Sequence, residues 1–376
     1  MAAIFHRAVS RAVQDSALHF RDSYDFSRLN SQGITTVAAA NGRCQSNGAP
    51  QTAARATALT FFRLTSIFAG MTIDKAVIPV AGLGTRLLPT TKAVPKEMLP
   101  AGRLPIIHHV VEELIAAGIR RILFVSSRSK VAIENHFDDY SQLLMALELD
   151  GRDVREVGRF DYRQRGIEFF FTRQQVPLGG TKPLGTGDAI AAAESFVGDS
   201  DFVVAFGDSI IHGERDPSLL QRMVSSHADR ESASTIGAWN VEADQVSNYG
   251  ILVPRDDEAD FQDCRLQDVI EKPSPGVTHS RLAVSARYVF GAEIFAQIRA
   301  VAPAANGEIY LTDAIRRLIE NGREVRAVRL ADGEQRYDIG NHRAYFRTFV
   351  DFALKDPEWG DDLKDYLRER LARDDV

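Results

Sequence analysis

Apolar residues follow two rhythms along this chain. Short, nearly continuous runs recur at 76–80, 122–125, 167–171, 202–206, 234–239 and 283–290, and each reads as a buried strand. Between several of them the spacing becomes that of a helix. Across 105–117, Ile107, Val110, Val111, Leu114 and Ile115 fall on one face and Gly118 supplies a stop. Helices are expected likewise at 188–196 and 217–228, at 313–320 with Thr312 as cap and Asn321-Gly322 as end, and at 343–354. This alternation predicts an α/β fold: a Rossmann-like, mixed but mostly parallel sheet with helices on both faces. Ligands of such sheets lie outside the carboxyl ends of the strands. No internal repeat, low-complexity block or linker interrupts 71–376, so one catalytic domain is expected over 71–355, followed by a charged helix or tail at 356–376.

Charge divides the chain at one place. Residues 1–70 hold seven Arg, three Asp, no Lys and no Glu, net +4, whereas the remaining 306 carry 38 basic and 48 acidic side chains, net −10. The break falls at Met71, the first methionine after Met1. An Arg-rich, Ser/Ala-rich, acid-poor stretch suits an organellar targeting leader. A start set upstream of the true one, or a disordered tail, gives the same composition, and the lack of a sustained amphipathic period favours these. On every reading the stretch stands outside the chemistry.

With 44% hydrophobic and 26% charged residues and a net charge of −6, the composition is that of an ordinary globular protein. Mild acidity offers no electrostatic reason to bind nucleic acid. Cys44 and Cys264 can build neither a disulfide framework nor a four-ligand zinc site, so a reducing, cytoplasmic setting is expected. The apolar stretch at 58–70 is broken by Arg63 and is too short to span a bilayer.

The chemistry begins at the end of the first strand. Ala81-Gly82-Leu83-Gly84-Thr85-Arg86 follows it, and glycines there let backbone N–H groups approach a phosphate or a base, although a tight strand-to-helix turn needs the same residues. Leu87 stands where a third Rossmann glycine belongs and no Gly-Lys-Ser/Thr follows, so the dinucleotide and P-loop fingerprints both fail. Shortly afterwards Pro95-Lys96-Glu97-Met98-Leu99-Pro100 brings a second cation near the same turn. Two cations there suit a polyphosphate.

The run 76–100 closely resembles the bacterial UTP–glucose-1-phosphate uridylyltransferases, the enzymes that make UDP-glucose. The resemblance continues in the family's order through Ile133-Glu134-Asn135-His136-Phe137-Asp138, Val269-Ile270-Glu271-Lys272-Pro273, Arg287-Tyr288-Val289, Gly307-Glu308-Ile309-Tyr310-Leu311-Thr312-Asp313 and Tyr337-Asp338-Ile339-Gly340-Asn341, spanning nearly all of 73–350. It implies a nucleotidyltransferase fold of the GT-A-like kind and Mg²⁺-dependent, in-line transfer between UTP and glucose 1-phosphate, giving UDP-glucose and pyrophosphate. It also implies a homodimer or homotetramer with no nucleic-acid or membrane partner.

The resemblance assigns roles residue by residue. Arg86 and Lys96 hold the triphosphate, and Lys272 holds the phosphate of glucose 1-phosphate. Ala81, Gly82, Gly84, Thr85, Glu97, Gln174 and Gly185 form the nucleotide site, with the backbone at 81 and 82, the Glu97 carboxylate and the Gln174 amide matching the uracil edge. Glu271 and the backbone at Gly250 meet the hexose, Asp208 is the first Mg²⁺ ligand and Asp338 the second, and Arg287 is a further residue on the phosphate side. Positioning and charge neutralisation supply most of the catalysis in such transfers.

Two segments depart from the family. Its compact Gly-Leu-Gly-His-Ala is replaced by a longer stretch, 177–189, that lacks the His and ends Leu184-Gly185-Thr186-Gly187-Asp188-Ala189, and its Leu-Pro-Asp is Phe206-Gly207-Asp208 here. A relative using dTTP or another sugar phosphate, or a non-catalytic nucleotide-sugar-binding protein, are the alternatives. A glycosyltransferase of similar architecture is disfavoured, because Asp208-Ser209-Ile210 lacks the second Asp of an Asp-x-Asp motif.

Overall fold

The computed structural model describes residues 73–152 and 161–373, so the expectations about residues 1–70 lie outside the described residues. Its main sheet contains β1 (Lys75–Pro79), β4 (Arg121–Ser126), β5 (Glu168–Arg173), β6 (Phe202–Ala205), β8 (Ser234–Asn240), β9 (Gly250–Pro254), β10 (Asp263–Glu271), β11 (Leu282–Phe290) and β12 (Val325–Arg329). The order across the sheet is β5-β4-β1-β6-β11-β8-β12-β10-β9, with β9 also reaching β11. Parallel pairing joins β5, β4, β1 and β6, and again β8 and β12, and only β10 and β11 run against the rest. The sheet is therefore mixed and mostly parallel, as the alternation of runs predicts. Two short ribbons lie beside it, β2 (Pro100–Ala101) with β3 (Leu104–Pro105) and β7 (Ser209–His212) with β13 (Gln335–Asp338).

Helices cover both faces because their apolar stripes have a sheet face to bury against. On one side α1 (Ile106–Ala116) buries Ile107, Val110, Val111 and Leu114 beside Ile78, Phe124 and Val203. Complete burial of such a side chain contributes about 1.5–3 kcal/mol. The short α2 (Val131–His136) adds Ile133 to this face, while α3 (Ser141–Leu149) lies outside the core. On the other side α4 (Thr186–Ala191) and α5 (Glu194–Val197) share a core with Phe202, Val204 and Tyr288. The first face also holds α6 (Leu219–Arg230), which opens on a capping box in which Ser218 and Gln221 satisfy each other's backbone N–H groups. The second face holds α7 (Ile294–Ala300) and α8 (Leu311–Glu320). Beyond the sheet, α9 (His342–Leu354) starts from Asn341, whose Oδ1 accepts the Ala344 N–H at 3.0 Å, and α10 (Gly360–Leu371) follows.

Several expectations need adjustment. The helix expected over 188–196 is two pieces, interrupted at Ala192-Ala193. Thr312 is not a cap, because α8 begins at Leu311 and the Thr312 hydroxyl donates to Glu271 Oε2 at 3.0 Å. Three strands of the main sheet, β9, β10 and β12, sit outside the six predicted runs. Among the described residues, no helix is long and apolar enough to cross a membrane.

Candidate functional site

The carboxyl ends of β1 and β6 open into a cleft of about 1100 Å³, and the site residues expected from the sequence, Arg287 apart, all line it. The glycine turn forms one wall. Gly84 takes φ +66°, which a glycine adopts without strain, and the Thr91 hydroxyl fastens its carbonyl at 2.8 Å. Arg86 is exposed and extends toward Gly340, where a Cβ on that glycine would stand 3.7 Å from its Nη1 and 3.3 Å from Asp338 Oδ1. Lys96 lies on a single 3-10 turn after Pro95, its Nζ beside Gly82 and paired with Asp208 Oδ2.

That pair sets the electrostatics of the cleft. Burial disfavours both charges, but the opposite charges and hydrogen bonds around each together outweigh it, with Arg336 adding to Lys96 at the carboxylate. The Asp208 carboxyl is thereby held below the usual carboxylate range, and the Lys96 ammonium above the usual lysine value with further help from Glu97 and Asp338. Asp208 and Asp338 are brought together by the β7–β13 ribbon, in which Asp338 pairs with Ser209 and the Ile339 N–H donates to the Asp208 carbonyl at 3.2 Å. Glu97 lines the cleft yet is only 1% exposed, and its Oε2 is taken by the buried Lys130 ammonium at 2.6 Å.

A second pole forms where β10 ends. Glu271 is opposite Gly250 in the β9–β10 register, accepts from Thr312, and lies 3.1 Å from Lys272 Nζ. Gly250 has to be glycine, since a Cβ would meet Val284 at 2.9 Å and Thr312 at 3.0 Å. Lys272 adopts φ +40°, a conformation that non-glycine residues avoid, stabilised by its N–H on the Tyr249 carbonyl at 3.1 Å, with its ammonium 5.7 Å from the Tyr310 ring.

One expectation is overturned. Arg287 does not face the cleft: its side chain is fully buried behind β11, where it forks onto Glu113 at 3.0 and 2.6 Å and donates to the Ser209 carbonyl at 2.8 Å. Val284, Ala286 and Tyr288 line the cleft instead, because side chains alternate along a strand and the even positions of β11 point that way.

Arg336 joins the site without any motif in the sequence to mark it. Its guanidinium stands 5.4 Å from the Trp239 ring and 5.6 Å from the Tyr249 ring, and its Nη2 donates to Asp338 Oδ2 at 3.2 Å. Two-residue parity within Arg336-Tyr337-Asp338 places it on the same strand face as Asp338, which is the signal the sequence offers. Lys182 and Glu308, paired at 2.8 Å, also line the cleft, and Lys182 belongs to the segment where this chain departs from the family pattern.

Comparison with known proteins decides the family. Residues 75–354 match the nucleotidyl transferase family model. This chain belongs to the nucleotidyl transferase family. Within it the chain groups with the UTP–glucose-1-phosphate uridylyltransferases: it is 39% identical to the one from Streptococcus pneumoniae over 297 residues, covering 78% of this chain and 95% of that protein. Among solved structures, a UTP-bound UDP-glucose pyrophosphorylase from Acinetobacter baumannii superposes with TM-score 0.68 at 32% identity, over 79% of this chain and 99% of the other. A UDP-glucose pyrophosphorylase complexed with UDP-glucose gives TM-score 0.64 at 30% identity, over 75% of this chain and 99% of the other. The mixed sheet and its cleft are thus the nucleotidyl transferase fold.

Proposed function

We propose that this uridylyltransferase-family chain transfers the uridylyl group of UTP to glucose 1-phosphate, forming UDP-glucose and pyrophosphate. One arrangement carries the reading: a single cleft holds two cationic poles, Arg86 with Lys96 at the glycine turn and Lys272 at the end of β10, with the Asp208–Asp338 carboxylates beside the first. Two phosphate-bearing substrates brought together need that layout. An oxygen of the sugar phosphate attacks the α-phosphorus of UTP, the bond from that phosphorus to the bridging oxygen breaks, and pyrophosphate leaves on the opposite side. The attacking oxygen is already ionised, so no protein base is required. Lys272 holds the attacking phosphate, Arg86 and Lys96 neutralise charge on the leaving side, and Glu271 accepts from sugar hydroxyls while Gly250 leaves room for the ring.

The donor set also fits a magnesium ion. Mg²⁺ takes one or two carboxylates and completes its shell with phosphate and water oxygens, and Asp208 and Asp338 supply two. Among the described residues, no group of three or more His, Cys, Asp or Glu forms an all-protein cage, which accords with an ion arriving with the nucleotide. When bound, the ion supplies Lewis-acid neutralisation of the phosphates. The family resemblance extends the proposal to a homodimer or homotetramer in the cytoplasm, supported by an outward apolar row on α9, Phe346, Phe349 and Val350.

The test is pyrophosphate release by the full chain with Mg²⁺ and glucose 1-phosphate, comparing UTP, dTTP, ATP and GTP, then galactose 1-phosphate as acceptor. Preference for UTP with glucose 1-phosphate is expected. A preference for dTTP or another sugar assigns the altered 177–189 segment the role of redirecting specificity. Binding of UDP-glucose without turnover of any pair overturns the enzyme reading.

A further inference from the structure

Gln174 follows β5 directly, anchored by its N–H on the Ser126 carbonyl at 3.0 Å, and its side chain is 9% exposed at the cleft wall. Its Nε2 donates twice, to the Gly185 carbonyl at 2.9 Å and to Asp188 Oδ2 at 2.7 Å. A carbonyl and a carboxylate can only accept, so the amide has one permitted orientation. Both N–H groups are consumed, and the group left over, Oε1, is an acceptor. Among the described residues no donor hydrogen-bonds to it.

The two acceptors are rigidly held. The Gly187 N–H donates to the Ile309 carbonyl at 2.8 Å, and the Ile309 N–H returns to the Leu184 carbonyl at 2.7 Å. A Cβ on Gly187 would meet Ile309 Cγ2 at 2.8 Å, so this close approach requires glycine. Asp188 then sits in the first turn of α4 with little room to drift.

We propose that Asp188 is a specificity-determining positioning residue. Together with the Gly185 carbonyl it fixes the Gln174 amide with its carbonyl oxygen free, so that the site selects a base that presents an N–H between its carbonyls and rejects one that presents a lone pair there. Uracil meets the requirement through N3–H; cytosine, with an unprotonated N3, does not. A mismatched acceptor pair in a site shielded from water discriminates strongly because both lone pairs lose hydrogen bonds. The inference rests on the reading that the chain uses UTP. It concerns the segment in which this chain departs from the Gly-Leu-Gly-His-Ala of the family it resembles.

The test uses the full chain and measures kcat/KM for UTP and for CTP, with glucose 1-phosphate and Mg²⁺, in the native protein, Asp188→Asn and Asp188→Glu. An Asn amide can donate as well as accept, so it removes the second obligate acceptor and leaves the Gly185 carbonyl alone to hold the Gln174 amide. The UTP-over-CTP ratio should then fall by about tenfold or more, while KM for glucose 1-phosphate stays within about twofold. Asp188→Glu keeps an obligate acceptor and should retain the preference. Should the Asn variant fail to fold, Asp188→Thr, which replaces the acceptor with a hydroxyl, reads the same ratio. An unchanged ratio in a folded variant, or equal losses for both nucleotides, overturns the proposal. Absence of a UTP preference in the native protein overturns the uridylyltransferase reading instead, so the two failures are distinguishable.

Discussion

Lys96 and Asp208, 112 positions apart, close an ion pair that ties the turn after β1 to the loop after β6. Each side chain is about four-fifths shielded, 19% and 23% exposed, so the pair is set in the cleft wall rather than in the core. It keeps the carboxylate ionised where a phosphate-bound cation would need it, and it aims the ammonium at the glycine turn. Asp208→Asn should therefore leave the circular dichroism spectrum intact and lower kcat by at least about a hundredfold. Activity close to native in that variant would remove Asp208 from the metal assignment.

Lys272 answers a different question, because it stands at the pole formed by the end of β10, next to Glu271. Lys272→Ala should raise KM for glucose 1-phosphate by about ten- to a hundredfold while changing KM for UTP by no more than about threefold. Steady-state kinetics with each substrate varied in turn separates the two. Equal weakening of both would contradict a role for the lysine in holding the sugar phosphate.

Arg336 lies within cation–π distance of both rings of the edge-to-face pair Trp239 and Tyr249 and donates to Asp338, so it joins that aromatic pair to the carboxylate pair. Arg336→Lys keeps the charge but loses the planar fork that reaches both rings and Asp338. The expected result is a fall in kcat of about tenfold with KM for UTP little changed, accompanied by a higher Mg²⁺ concentration for half-maximal rate. A titration with Mg²⁺ checks this, and an unchanged metal requirement would mean that the arginine supports only packing.

The glycine turn and the strand-end Asp208 are legible because each follows a short apolar run, and a strand followed by polar residues locates a sheet edge without any knowledge of the fold; Lys96 is legible from the Pro95–Pro100 segment close behind that turn. Arg336 and Asp188 are not legible in the same way. Arg336 owes its position to rings contributed by β8 and by Tyr249 just before β9, far away in sequence, and Asp188 matters only because Gln174 is brought against it by the parallel pairing of β5 with β4. The strand β10 is hidden for a related reason: its nine residues alternate buried and partly exposed positions and include charged Arg265, Asp268 and Glu271, which conceals it from a search for continuous apolar runs.

A pH dependence of stability follows from His108 on α1. The ring is 2% exposed, and burial lowers its pKa from 6.5 to about 4; Glu112, 3.8 Å away, pulls the other way, and neighbouring His136 assists the fall. Between those two pH values the unfolded chain takes up a proton that the folded chain refuses, so stability is complete above about pH 6.5 and is lost as pH falls toward 4. The full span corresponds to about 3 kcal/mol. Urea unfolding at a series of pH values should show the loss, and His108→Gln should flatten the slope by close to one proton, with Glu112, Arg165, His136 and Tyr162 around it unchanged. The same slope in the variant would assign the effect to His136 or His109, which burial also lowers.

Arg287 separates a structural cation from a chemical one. The motif Arg287-Tyr288-Val289 invites a phosphate-side role, yet the pleat of β11 sends the guanidinium to the opposite face, where Glu113 and the Ser209 carbonyl take up its donors. The even-numbered residues keep facing the cleft through an irregularity between Val284 and Tyr288, in which Ala286 takes φ +63°. Removing one member of a buried pair strands the other, at a cost of about 3–5 kcal/mol. Arg287→Leu should thus lower the melting temperature markedly, while the protein that remains folded keeps its kcat and both KM values within about twofold. A selective loss of affinity for either phosphate substrate in the folded fraction would show that the arginine reaches the cleft after all. Stability lost with kinetics preserved would fix it as the bolt between α1, β7 and β11, holding the Asp208 loop from behind.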